Sequence, residues 1–94
     1  MQKLFPLHET GRDDARVRDR IRQEINRYER RMRRKPLPED ADRWEFVCRI
    51  GPSADAAEPV DFKALPGAVE TVAATGASGV FVEILAKPVA RRLR

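Results

Sequence analysis

Residues 12–35 carry five apolar side chains, Val17, Ile21, Ile25, Tyr28 and Met32, at intervals of 4, 4, 3 and 4 in an otherwise charged segment. At about 100° per residue these five fall within a stripe roughly 80° wide, which predicts one long helix with a single narrow apolar face. Such a helix gains little from packing on itself. It needs a sheet or another helix against its stripe, with most of its circumference left in water. Thr10-Gly11-Arg12-Asp13 has the spacing of a capping box with Thr10 as N-cap. Asp13 and Asp14 then lie in the first turn, and Arg30, Arg31, Arg33, Arg34 and Lys35 near the last, as the helix dipole favours. Pro36 and Pro38 end the helix.

The partner for that stripe is legible downstream. Trp44, Phe46, Cys48 and Ile50 alternate with Glu45, Val47 and Arg49, which predicts a strand over 44–50, ended by Gly51-Pro52. Residues 53–60 are small and acidic and read as a loop. Asp61 is placed to cap a second helix carrying Phe62, Leu65, Val69, Val72 and Ala73 on one side, with Gly76 as its stop. Pro66-Gly67 fits that helix only if it starts near Pro66 or has a distorted first turn. Residues 80–86 have little polar content and predict a central strand covered on both faces. Lys3-Leu4-Phe5 reads as a short first strand, and 89–94 as a frayed basic tail. The expected fold is α+β or α/β: a two-layer sandwich of order (β)αβαβ, with two helices on a sheet of about three strands. Strands separated by helices favour parallel crossovers.

The length of 94 residues suits one domain spanning 1–94. A hydrophobic share of 41% with 36% charged residues is too apolar for a disordered chain. No apolar run approaches the roughly 18 residues of a membrane span, and the start lacks the apolar stretch of a secretory signal. A single cysteine excludes an internal disulfide. A cytoplasmic domain away from membranes is the expectation.

The net charge of +4 is unevenly placed. Residues 12–35 hold 11 basic and 5 acidic side chains, and the other 70 residues hold 8 basic and 10 acidic. The helix segment is thus +6 on a body of −2. The basic residues are 15 Arg against 4 Lys. Twelve alanines beside few lysines have the look of GC-rich codon bias, which would explain much of that preference but not its placement. On the helix, Arg16, Arg20, Gln23, Arg27, Arg30 and Arg34 follow one another at 4, 3, 4, 3 and 4, forming a second stripe without an acid. It extends about 27 Å along the axis, well round the helix from the apolar stripe. The other flank is mixed: Arg18, Asp19, Arg22, Glu29 and Arg33. A one-sided arginine row concentrates positive potential, and nucleic-acid backbone is its commonest target. The plain alternative is a solvated charged face, damped by Asp13 and Glu24 at its border.

Catalytic and metal signals are weak. His8 beside Glu9 is a chance-level pair, and Cys48 lies on an apolar strand face where a thiol acts as a small hydrophobe. Glu39, Asp40 and Asp42 suit a turn better than a cation loop, since their spacing matches no ligand loop. Gly76-Ala77-Ser78-Gly79 precedes a strand, whereas phosphate-binding loops precede helices. No cofactor and no metal site is expected.

Several segments together resemble a known family. They are Lys3-Leu4-Phe5-Pro6-Leu7, the Arg-rich helix with Glu24 and Tyr28, and Arg33-Arg34-Lys35-Pro36-Leu37-Pro38. Asp42-Arg43-Trp44-Glu45-Phe46 with Cys48 follows, and then Val82-Glu83-Ile84-Leu85-Ala86-Lys87-Pro88. Across nearly its whole length the chain resembles a domain-of-unknown-function family of small bacterial proteins. The resemblance implies a single intact domain and supplies no catalytic or ligand residues. Pro66-Gly67 departs from the pattern.

The leading expectation is a non-enzymatic domain that binds RNA, or another polyanion, through Arg16, Arg20, Arg27, Arg30 and Arg34. The alternative is a protein-interaction or homodimerisation module, meeting an acidic protein or a second copy through its arginines or an unpaired sheet edge. An enzyme using His8, Cys48 or the carboxylates of 39–42 is the third class.

Overall fold

A computed structural model of the protein describes residues 1–90. Among these, the chain forms β1 (Gln2–Pro6), α1 (Asp14–Arg33), β2 (Ala41–Gly51), β3 (Glu58–Val60), α2 (Leu65–Ala74) and β4 (Gly79–Ala90). A single 3₁₀ turn, Phe62–Ala64, leads into α2. The four strands form one sheet in the order β1-β4-β2-β3. The expected two-layer α+β architecture is therefore present, with one strand more than expected.

Every adjacent pair in the sheet is antiparallel, which corrects the expectation of parallel neighbours. The reason is β3. Glu58-Pro59-Val60 was masked by its small, acidic surroundings, and it folds back on Cys48, Arg49 and Ile50 of β2. The order becomes βαββαβ, and each helix now connects strands that run the same way but are not neighbours. The β1-α1-β2 crossover steps over β4, and the β3-α2-β4 crossover steps over β2.

α1 starts later than the capping box implies. Gly11 adopts a left-handed φ of 77° and closes a turn in which Arg12 N donates to Glu9 O, so the helix cannot begin at Thr10. Asp13 is the N-cap instead, its side chain accepting from Ala15 N. The far end follows the proline signal, with Arg34 as C-cap and Lys35 N donating to Met32 O. Trp44 Nε1 donates to Lys35 O at 3.2 Å, tying the end of α1 to β2. In α2, Pro66 sits in the first turn, where its missing N–H costs nothing, and the distortion appears as the preceding 3₁₀ turn. Gly76, at φ 83°, ends it as expected.

The core is one cluster. Val17, Ile21 and Ile25 of α1 and Leu65 and Val69 of α2 pack with Phe5, Cys48, Ile50, Val80, Val82 and Ile84 of the sheet. Val80, Val82 and Ile84 have no exposed surface. Both helices thus cover one sheet face. β4 is central, flanked by β1 and β2, but it is not covered on both faces as expected. Its alternate residues point away from the helices, and Leu85 is 42% exposed, with Val47 beside it at 40% and Leu4, opposite Phe81, at 59%. Val89 and Ala90, expected in a frayed tail, pair with Arg43 and Ala41 of β2. The rest of that tail, 91–94, lies outside the described residues. No helix among the described residues is long and apolar enough to cross a membrane.

Candidate polyanion-binding face

Burying Val17, Ile21, Ile25 and Tyr28 against the sheet turns the remaining circumference of α1 outward. Arg16, Arg20, Arg27, Arg30 and Arg34 are all exposed. What distinguishes them from the other arginines of the helix is the disposition of the acids.

The mixed flank is neutralised. Glu70 of α2 reaches both Arg18 and Arg22, Asp19 pairs with Arg22, and Glu29 pairs with Arg33 four residues on. The Glu70 hydrogen bond, with help from Asp19, raises the Arg22 pKa above its ordinary value against a partial desolvation. The acids that bordered the row in the sequence turn elsewhere. Glu24 pairs with Lys3 of β1 at 2.8 Å, and Asp13 caps α1 by accepting from Ala15 N; farther along the chain, Asp42 pairs with Arg43 at 3.3 Å. Glu39 makes no ion pair among the described residues.

One member of the row is lost to it. Glu9, in the turn before α1, accepts from Arg20 and also pairs with Arg12. A loop residue 11 positions upstream carries no helical-wheel signal, so this contact is not legible in the sequence. Arg16, Arg27, Arg30 and Arg34 pair with no acid among the described residues.

The C-terminal half of the row gains a member. Arg31 joins Arg27, Arg30 and Arg34 around one shallow concavity. Its guanidinium lies over the Tyr28 ring, 5.5 Å from the centroid. The signal was present in the sequence as a spacing of three from Tyr28 and four from Arg27, between the two stripes. These guanidinium groups stand at helix spacings of three and four, where like charges repel by roughly 0.2–0.5 kcal/mol per pair. The negative end of the helix dipole offsets part of that repulsion. An anion entering the concavity would remove the rest.

The other candidates separate into unrelated surroundings. His8 Nδ1 meets Asp14 Oδ1 at 3.0 Å on the surface, and Glu9 faces the arginines instead. Glu39, Asp40 and Asp42 are exposed in and after the turn closed by Ala41 N to Pro38 O. Among the described residues, no three His, Cys, Asp or Glu side chains are grouped as a metal site.

Cys48 is buried in the core, and desolvation, with the negative charge of Asp61 second, pushes its thiol up to about 11. Its folded pKa thus lies above the free-thiol value, so the thiol form stabilises the fold up to the unfolded pKa. That contribution is lost as pH rises from about 9 to about 11. Urea titrations at stepped pH should show the wild type losing about 2–3 kcal/mol more than Cys48→Ala over this interval. Parallel pH profiles for the two proteins would contradict the assignment.

The model of a family of unknown function, DUF6172, matches residues 1–94. No curated protein and no solved structure matches the chain.

Proposed function

We propose that this chain, which belongs to the family of unknown function DUF6172, binds the phosphate backbone of RNA through Arg16, Arg27, Arg30 and Arg34, joined by Arg31. The observation that carries this reading is the partition of acids along α1. Those of the flank neutralise Arg18, Arg22 and Arg33, whereas the row keeps its charge apart from Arg20. Guanidinium groups fork onto phosphate oxygens and stay charged at every physiological pH. Contacts of this kind position a protein on a backbone without reading sequence.

Base stacking contributes little. Phe5 is buried, Tyr28 nearly so and already covered by Arg31, and Phe46 packs against Phe62 beneath Arg33. Affinity should therefore come from charge, with weak dependence on base identity.

The test is binding of mixed cellular RNA at about 50 mM salt, with heparin as competitor, repeated toward about 200 mM. Binding that heparin displaces and salt dissolves supports the reading. No binding at the lowest salt overturns it. Capture of an acidic protein with no RNA binding would transfer the same surface to a carboxylate partner.

A further inference from the structure

We infer that the helix-free face of the sheet is the interface of a two-fold symmetric dimer of this chain. The argument starts from what β2 and β4 hold there. Cross-strand neighbours on that face are Arg49 and Glu83, Val47 and Leu85, Glu45 and Lys87, and Arg43 and Val89, with Phe81 beside a Gly51 that the Ala56–Ala57 backbone covers. Opposite charges face each other in two of these pairs, and apolar side chains in a third.

A two-fold axis running along the strands, between β2 and β4, lays β4 of one copy over β2 of the other at the same height. Every residue then faces the counterpart of its own cross-strand neighbour. Glu83 meets the partner's Arg49, Leu85 meets the partner's Val47, and Lys87 meets the partner's Glu45, while Gly51 stays covered by the backbone of Ala56 and Ala57 of its own chain. The symmetry repeats each contact. Aligned sheets pack with a rotation of about 30°, which shifts these contacts without changing their sign.

Two further observations favour a second copy over other occupants. The charges of Arg49, Glu83, Glu45 and Lys87 sum to zero, and Arg43 at the end of the face is paired with Asp42, so the face neither attracts a polyanion nor repels itself. Exposed apolar side chains, Leu4, Val47 and Leu85, are gathered on it. Strands of 5, 12, 11 and 3 residues, about 4.8 Å apart and rising about 3.3 Å per residue, give roughly 500 Å² of flat area. A standard interface buries about 800 Å² per partner, so the face is of the right order for a modest dimer. Glu83 is already desolvated at 8% exposure, held by Gln2 Nε2 and by Arg49 at 3.6 Å. In this dimer both arginine rows remain on the outer surfaces, so the inference stands independently of RNA binding.

The experiment is sedimentation equilibrium of the whole chain at submillimolar concentration. The wild type should give twice the chain mass. Leu85→Asp and Val47→Asp should weaken association at least 100-fold while keeping the helical circular-dichroism signal. Lys87→Glu alone should weaken it about tenfold, because it sets two carboxylates against each other across the axis. Adding Glu45→Lys to Lys87→Glu should restore the dimer, since the swap recreates every opposite-charge contact. A wild-type monomer throughout, or a dimer untouched by Leu85→Asp, overturns the inference.

Discussion

Replacing Arg27 and Arg30 together by glutamate should weaken RNA binding about 100- to 1000-fold at low salt. Each reversal changes the local charge by two units. A unit pair at contact distance is worth about 1 kcal/mol in water, so two reversals remove roughly 4 kcal/mol before screening. The helix should survive, since both side chains are exposed and glutamate forms helix about as well as arginine. The new carboxylates would also stand four residues before Arg31 and Arg34, relieving the repulsion now stored there. Unfavourable placement near the negative end of the helix dipole offsets that gain. Thermal unfolding should therefore be nearly unchanged while binding is lost. Arg18→Gln, whose partner is Glu70, should leave affinity within about twofold because its charge is already matched. Fluorescence anisotropy with labelled RNA measures all three proteins.

Ile84→Ala should lower stability by about 2–5 kcal/mol. Ile84 has no exposed surface, stands opposite Cys48 in the centre of the sheet and lies in the cluster with both helices. A domain of this size holds about 5–15 kcal/mol in total, so the loss is a large part of it and should lower Tm by more than 10 °C. The next residue supplies the contrast. Leu85 points to the uncovered face and is 42% exposed. In dilute protein, where the monomer dominates, Leu85→Ala should cost less than about 1 kcal/mol. Paired denaturation curves for the two variants measure the sidedness of β4. Equal losses would mean that the uncovered face is buried in the monomer.

The pair also shows why β4 was misjudged from sequence. A strand with few polar residues is expected to be covered twice, and Phe81, Leu85 and Ala86 gave it that character. The helices supply only one cover, because both crossovers run on the same side of the sheet. The apolar remainder is then a surface feature, and a single chain cannot reveal that from composition. α1 was legible almost whole, since the 4, 4, 3, 4 spacing of its stripe needs nothing beyond the segment itself. Its cap was not, because Gly11 closes a turn whose geometry outranks the Thr10 pattern. β3 escaped because three residues with a proline carry no alternation to detect. Its omission alone converted an antiparallel sheet into an expected parallel one.

The candidate face was legible as a row of residue types but not as a row of charges. Wheel geometry placed Arg16, Arg27, Arg30 and Arg34 on one exposed side. Whether they would stay unpaired depended on Glu9, Glu24 and Glu70, which take partners 11 to 52 positions away along the chain. Glu24 turned to β1 and Glu70 to the flank, whereas Glu9 took Arg20. No local pattern encodes those choices.

The most direct test of the unpaired row is the salt dependence of RNA affinity in the wild type and in Arg27→Gln with Arg30→Gln. Five arginine–phosphate contacts, from Arg16, Arg27, Arg30, Arg31 and Arg34, predict a slope of log K against log salt of about −3.5 to −4.5. The double variant should be shallower by about 1.4–1.8, two contacts' worth of released counterions. Absence of binding at about 50 mM salt, or an unchanged slope in the double variant, would contradict the assignment of these arginines to phosphate.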